Sequence, residues 1–367
     1  MEKQTISDDR VVLTLDAGGT NFVFSAIREA REIVEPETFP SHGNNLDLCL
    51  TTIIQGFESI RKKLPGEAAA ISFAFPGPAD YMNGIIGDLA NLPAFRGGIA
   101  LGDMLKDHFG IPVYINNDGD LFAYGEAVYG ILPELNRMLK DAGSNKVYRN
   151  LIGITLGTGF GCGLVRNSEP VIGDNGAAAE IWLVRNPLRE NSFAEESISM
   201  RAILREYASA GGTLSADMTP FDVFLVAKGS KSGNREAAIQ SFRTFGTAIG
   251  TILSDVVNLM DACVVIGGGL ANAWELFSPA MLEQMRGSIS NFEGKSLPRI
   301  LMKVYDLENA AEIPLFTGGE RKEVKVPFSE RRVAYDPMKR VGVGLSRLGT
   351  NTAVALGAYA FALRASH

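Results

Sequence analysis

The sequence predicts a layered α/β protein built as two domains, and three observations carry that reading. Short apolar runs of strand character alternate with amphipathic helical stretches through the first third of the chain, the pattern of layered α/β domains. The chain has 367 residues, more than a single hydrophobic core ordinarily organises. Three strand-like runs end in glycine clusters, "DAGGT", "LGTGFGCG" and "IGGGLAN", where a strand gives way to a turn lined with backbone N–H groups.

The elements follow in order. Val11–Leu15 and Phe22–Ile27 flank "DAGGT" and read as a hairpin, with Gly18 and Gly19 supplying the φ angles of its turn. "LDLCLTTIIQGFESIRKKL" has apolar residues at helical spacing and a basic last turn, as a helix C-terminus favours. "AAAISFAFPGPAD" is a buried strand stopped by Pro76-Gly77-Pro78. "ALGDMLKDHFG" is a short helix with a glycine stop, and "IPVYIN" is a strand that runs into Asn117-Asp118 and the helix "LFAYGEAVYG". A polar link, "MLKDAGSNKVYRN", leads to the strand "LIGITLGTGFGCGLV". "NREAAIQSFRTFGTAIGTILSDVVNLMD" is a long amphipathic helix that feeds the strand "ACVVIGGG". Residues 288–341 are charged and aperiodic and read as an insertion of loops or short hairpins. "TAVALGAYAFALRA" closes the chain as an apolar helix with small residues suited to tight packing.

Composition narrows the function. No apolar run approaches the ~18 residues of a membrane span, and the opening "MEKQTISDDR" is too polar for a secretory signal. A soluble, cytoplasmic protein without a membrane partner is expected. The net charge of −7 argues against a general nucleic-acid binder, which needs a basic footprint. The short basic clusters "GGERKEVKV" and "DPMKRVG" suit solvated loops. Cys49, Cys162 and Cys263 have no pairing or zinc spacing, and the three histidines, His42, His108 and His367, are too few for histidine-based catalysis. Chemistry here must rest on carboxylates.

One glycine turn is weak support for a ligand, but three spread over both halves suggest a nucleotide held from several sides. The chain lacks G-x-x-x-x-G-K-[ST], so it is not a P-loop protein. The dinucleotide fingerprint also fails, because its third glycine falls at Cys162 from Gly157 and at Asn272 from Gly267. What remains is a nucleotide site on hairpins, with Asp16 placed to hold Mg²⁺ through water, since that ion retains much of its hydration shell. Asn117-Asp118 admits two readings. Both residues are good helix caps, and a carboxylate at a strand end is also a rigid mount for a general base.

The ordered set "LDAGGTNFVFSAI", "SFAFPGPAD", "LANLP", "INNDGD", "ITLGTGFGCGLV" and "NLMDACVVIGGGLA" resembles the ROK family of sugar kinases, over most of the chain. The resemblance implies the actin-like ATPase (ribonuclease H-like) fold, two α/β domains around a central cleft. Its first domain would span residues 1–117, completed by the C-terminal helix 350–367. The second would span 118–349, with the insertion near 288–341. ATP and Mg²⁺ are implied, with Asp16, Gly18, Gly19 and Thr20 serving the metal and phosphates. Gly157, Thr158 and Gly159 would form a second phosphate loop, and Gly267, Gly268 and Gly269 would line the adenosine pocket. A valine at Gly268 is then expected to act mainly on nucleotide affinity. Asp118 matches the family's catalytic base. Gly77, Asn91, Asn117, Asp118, Glu180 and Glu195 fall among its sugar contacts, although Asn91 also suits an Asn-Leu-Pro turn and Glu195 an exposed helix. A homodimer is what the family suggests.

The chain departs from the family where many members carry Gly-Glu-Ile-Gly-His and three downstream cysteines that bind zinc. Here the segment reads "AEIWL", with Trp182 in place of a glycine and Leu183 in place of the histidine, and no cysteine follows. Zinc is not expected. The leading expectation is an ATP-dependent hexokinase or glucokinase-type phosphotransferase acting on glucose or an N-acetylhexosamine, with mannose or fructose as further options. The alternatives are a non-catalytic sugar-binding ROK protein and a sugar-responsive transcription regulator. The fifteen residues before Asp16 are too few for the helix-turn-helix domain that such regulators carry there.

Overall fold

The computed structural model describes residues 8–89 and 91–365, and the chain divides into two units. The first comprises the segment ending at Gly130, Glu169–Ala178, and the chain from Leu348 onward; the second comprises Ile131–Ser168 and Ala179–Arg347.

In the first unit, Val11–Ala17 pairs antiparallel with Asn21–Arg28 and parallel with Ala68–Ala74, which pairs parallel with Val113–Asn116. Every residue from Val11 to Leu15 is buried, which marks a strand covered on both faces. Leu13 and Leu15 pack with Phe22, Phe24, Ile53, Phe57 and Phe73. Val12 lies on the opposite face with Ile27, Ala70, Leu356 and Tyr359. The helix Leu46–Lys63 covers the first face, capped by Asn45 and ended by Arg61, Lys62 and Lys63. Its Gly56 makes room for Phe24, whose ring would lie 2.2 Å from a Cβ there.

The boundary expected after Asn117 is displaced to Gly130. The helix Asp118–Val128 packs against the C-terminal helix Thr350–Ala365, so it belongs with the first unit. The two meet through interlocked glycines. A Cβ on Gly125 would lie 1.9 Å from the Ala353 carbonyl oxygen, and one on Gly357 would lie 1.9 Å from that of Leu121.

In the second unit, the run "LIGITLGTGFGCGLV" is a hairpin rather than one strand: Leu151–Leu156 pairs antiparallel with Phe160–Arg166. The sheet continues in parallel through Cys263–Gly267 and Arg340–Leu345 to Lys303–Asp306. The helix Arg235–Met260 packs tightly on Trp274–Met285, because Cβ atoms on Gly246 and Gly250 would lie 2.1 Å from the Phe277 carbonyl and 2.3 Å from that of Met281. Part of the expected polar link is helical, within Ile131–Asp141. The stretch 288–341 also differs from expectation. It does hold two exposed hairpins, Ser288–Ser290 with Ser296–Pro298 and Lys322–Lys325 with Arg332–Tyr335. Between them, however, Lys303–Asp306 is a strand of the main sheet. It is short and begins with an exposed lysine, so no apolar alternation announces it.

The glycine interlock makes a prediction with a definite sign. Glycine to alanine inside a helix normally gains roughly 1 kcal/mol, whereas overpacking costs about 1–3 kcal/mol. The contact at Gly357 is with backbone, which cannot rotate away, so Gly357→Ala should be net destabilising. Urea unfolding measures this; a midpoint equal to or above that of the native chain would remove the interlock.

Candidate active site

Strand register sets the first half of the site. Asp16 lies opposite Ala74, and Ala74 lies opposite Asn116. Asp16 and Asn116 therefore stand level at the carboxyl ends of parallel strands, about 10 Å apart from two inter-strand spacings. Ligands of parallel α/β sheets bind at that edge. Gly77 follows the central strand of the three on the same edge and is exposed. A Cβ on it would lie 2.9 Å from the Tyr81 hydroxyl, which donates to the Phe75 carbonyl at 3.0 Å.

Asp16 is solvent-exposed, yet protein packed around its carboxyl raises the pKa above the ordinary aspartate value. Asn351, in the first turn of the C-terminal helix, points its Nδ2 at Asp16 Oδ2 from 3.5 Å, at the limit of a hydrogen bond. Nothing in the sequence pattern flagged Asn351. Gly18 and Gly19 do not adopt the positive φ expected of turn glycines. Gly18 is needed for space instead, since a Cβ there would meet the Asn21 carbonyl at 2.8 Å. The Gly19 carbonyl accepts from the Ser41 hydroxyl at 2.6 Å, and the Thr20 carbonyl from the Ser41 N–H at 2.9 Å. Asn91 packs beside Gly19, with its Cβ 3.7 Å from where a Gly19 Cβ would stand. The turn and Asn91 are therefore brought together.

Of the two readings of Asn117-Asp118, the cap falls on Asn117. Asn117 is the cap: its Oδ1 accepts from Gly119 N–H at 2.8 Å and Asp120 N–H at 3.4 Å. Asp118 opens the helix, is exposed, and accepts from Gly119 N–H at 2.9 Å. Asn116, behind them, is buried with its Nδ2 lacking a hydrogen-bond partner.

The second unit repeats the device. Thr155 lies opposite Gly267, so the turns Gly157-Thr158-Gly159 and Gly267-Gly268-Gly269 emerge from adjacent parallel strands. Thr158 and Gly269 are exposed. Gly268 has φ +87°, and a Cβ on it would lie 2.3 Å from the Leu156 carbonyl oxygen. The fold itself therefore requires glycine there, so a valine would act on stability first, in place of the expected main effect on affinity. Glu195 is buttressed rather than free: its Oε2 accepts the Phe160 N–H at 3.0 Å and its Oε1 the Arg201 guanidinium at 2.9 Å. That hydrogen bond raises the arginine's pKa above its ordinary value. Glu180 is exposed and accepts the indole N–H of Trp182, whose ring stands edge-on to Phe193.

Among the described residues, no group of three or more His, Cys, Asp or Glu is disposed to hold a metal. The donor set at Asp16, one exposed carboxylate beside an open turn, fits a cation that keeps most of its water ligands. Cys49, Cys162 and Cys263 are all buried.

Comparison with known proteins gives a consistent picture. The ROK family profile matches residues 12–311. A solved glucokinase structure from Parabacteroides distasonis is 48% identical, with a TM-score of 0.89, covering 98% of this chain and 99% of that one. A glucokinase from Halalkalibacterium halodurans is 26% identical over 320 residues, 80% of this chain and 88% of its own. An N-acetyl-D-glucosamine kinase from Aliivibrio fischeri is 26% identical over 302 residues, 79% and 89% of the two chains.

Two predictions follow from the site's own physics. A folded pKa raised above the unfolded one means that ionised Asp16 opposes folding: the penalty is absent below the ordinary aspartate value of ~3.9 and grows as pH rises through the folded pKa. Asp16→Asn removes it. Its thermal midpoint at neutral pH should be no lower than that of the native chain, with any advantage shrinking as pH falls toward 4; a clearly lower midpoint contradicts the desolvation account. Gly268→Val combines a strained φ with a backbone clash and should cost more than ~3 kcal/mol. A variant with a native-like melting curve would show that the turn tolerates a side chain.

Proposed function

The chain belongs to the ROK family, and on that premise we propose that it is an ATP-dependent sugar kinase, transferring the γ-phosphoryl group to a hydroxyl of a hexose. The observation that carries the reading is the pair of exposed carboxylates, Asp16 and Asp118, standing at one edge of a single sheet. Bare sugar binding needs no second acid beside a glycine turn. Phosphoryl transfer needs one group near the polyphosphate cation and another at the attacking alcohol.

In this reading Asp118 accepts the proton of the sugar hydroxyl as it attacks the γ-phosphorus. Its mount suits that role, because Asn117 takes up the orphan N–H groups of the helix start and the exposed Asp118 carboxylate is left at the open edge. Asp16 would hold Mg²⁺ through water, and the ion, when bound, neutralises charge on the polyphosphate. Gly18, Gly19 and Thr20 offer backbone groups to phosphate oxygens, as do Gly157, Thr158 and Gly159. Gly267 and Gly269 would flank the nucleoside, with Gly268 keeping their turn in shape. Gly77, Asn91, Asn117 and Glu180 are the proposed sugar contacts. Trp182 supplies Glu180 with a fixed donor, where many family members place a glycine and a histidine instead.

The named relatives act on glucose and N-acetyl-D-glucosamine, which makes these two hexoses the first substrates to try. ADP release measured across a hexose panel tests the activity. Asp118→Asn should lower kcat by ~10²–10⁴-fold, the scale of a general base, while nucleotide and sugar dissociation constants stay within a few-fold. Turnover near that of the native chain would remove Asp118 from the mechanism. A native chain that binds a hexose without consuming ATP would instead make it a sugar binder.

A further inference from the structure

The segment Glu195–Arg201 touches the loop Gly157–Phe160 at both ends. The Phe160 N–H donates to Glu195 Oε2 at 3.0 Å, and the Met200 N–H donates to the Gly157 carbonyl at 3.0 Å. Within the loop, Gly157 N–H closes on the Gly159 carbonyl at 3.1 Å. We propose that Glu195 is a positioning residue for this loop, holding the backbone of Gly159 and Phe160 so that the loop is set before a phosphate arrives. The proposal rests on the reading of the loop as a phosphate cradle.

Three features favour this over an ordinary surface glutamate. Its side chain is only 21% exposed, although it lies in a short turn, Ala194–Glu196, where a glutamate could extend into water. The loop's own sequence is fitted to it. A Cβ on Gly159 would stand 2.6 Å from Glu195 Oε2, and Gly159 has no positive φ, so the glycine there serves the carboxylate's approach rather than a turn angle. The carboxylate is also braced from behind: Arg201 donates to Glu195 Oε1 and, through Nε, to Glu196 Oε1, both at 2.9 Å. An anion next to a phosphate cradle would ordinarily repel its ligand, and the guanidinium offsets that charge. A loop with two glycines in four residues has unusual conformational freedom, and these contacts remove it from both ends.

Beside the clamp, the Ser199 hydroxyl is fully buried with no hydrogen-bond partner. Ser199 occupies the N-cap position of the helix Met200–Ser209, and its side chain makes no cap hydrogen bond.

The test uses the full chain with Glu195→Ala, Glu195→Gln, Gly159→Ala and the double variant Gly159→Ala/Glu195→Ala. Affinity for a non-hydrolysable ATP analogue, measured by calorimetry without sugar, should fall about 10-fold or more in Glu195→Ala, the scale of a lost hydrogen bond to a charged group. Glu195→Gln keeps an acceptor for the Phe160 N–H and should stay within about 3-fold of the native chain. Gly159→Ala pushes the carboxylate off the loop and should mimic Glu195→Ala, and the double variant should be no worse than either single one, because the pair acts as a unit. Hydrogen exchange of the peptide containing Phe160 should accelerate in Glu195→Ala and not in Glu195→Gln. The proposal is overturned if Glu195→Ala weakens hexose binding alone, with nucleotide affinity and loop exchange unchanged, for then Glu195 is only a sugar contact. The exchange measurement needs no activity. A native chain that binds no nucleotide, yet loses loop protection in Glu195→Ala, would sink the phosphate reading and leave the clamp standing.

Discussion

The register of the strands Val11–Ala17, Ala68–Ala74 and Val113–Asn116 is the constraint on which the rest of the site depends. A β-strand shifted by one residue turns every side chain to the opposite face. Here both faces are filled: Leu13 and Leu15 with the phenylalanine cluster on one side, Val12 with Leu356 and Tyr359 on the other. A slip would push Val12 into the phenylalanines and Leu13 against the C-terminal helix. Packing therefore fixes where each strand ends, and where they end decides that Asp16 and the Asn117-Asp118 pair share an edge. The C-terminal helix adds the second restraint, because its interlock with the helix Asp118–Val128 fixes the direction in which that helix leaves the sheet.

The second unit reaches a similar edge by the same construction, an antiparallel hairpin whose first strand lies beside a parallel one. Its glycines divide into two kinds. Gly268 is a conformational glycine, with a left-handed φ and no room for a side chain. Gly159, like Gly18 in the first unit, is a spatial one, with ordinary φ and a neighbour too close for a Cβ. A glycine-rich turn is thus not one device. Some of its members shape the chain, and others admit a neighbouring group to the backbone.

Much of this was legible in the sequence. Buried strands are runs of apolar residues, and glycine turns are visible as letters, so the α/β class and the opening hairpin could be located from composition and order alone, whereas Asp16 and Asp118 were singled out together only through the resemblance of the motif set. What escaped has a common cause. The strand Lys303–Asp306 is short and led by an exposed lysine, and its membership of the sheet is decided by its partner Arg340–Leu345. The helices Met200–Ser209 and Pro220–Ala227 lie in a stretch where the sequence offered no motif. The engagement of Glu195 with Phe160, of Trp182 with Glu180 and of Asn351 with Asp16 each depends on which side chains meet in space. Local pattern carries no information about that.

The treatment of charge separates scaffold from site. Where the fold uses charge to hold itself together, it supplies near partners: fully buried Glu126 accepts the Leu348 N–H at 3.0 Å, and buried Arg340 pairs with Asp336 at 2.5 Å. Asp16 is handled differently. Its pKa is raised by the protein around it, and the amide of Asn351 stands at 3.5 Å, too far to return much of the lost hydration. A fold selected for stability alone would place an amide or an apolar residue there. Retaining an acid whose ionised form the surroundings disfavour makes physical sense if a cation and its water shell complete the environment during function.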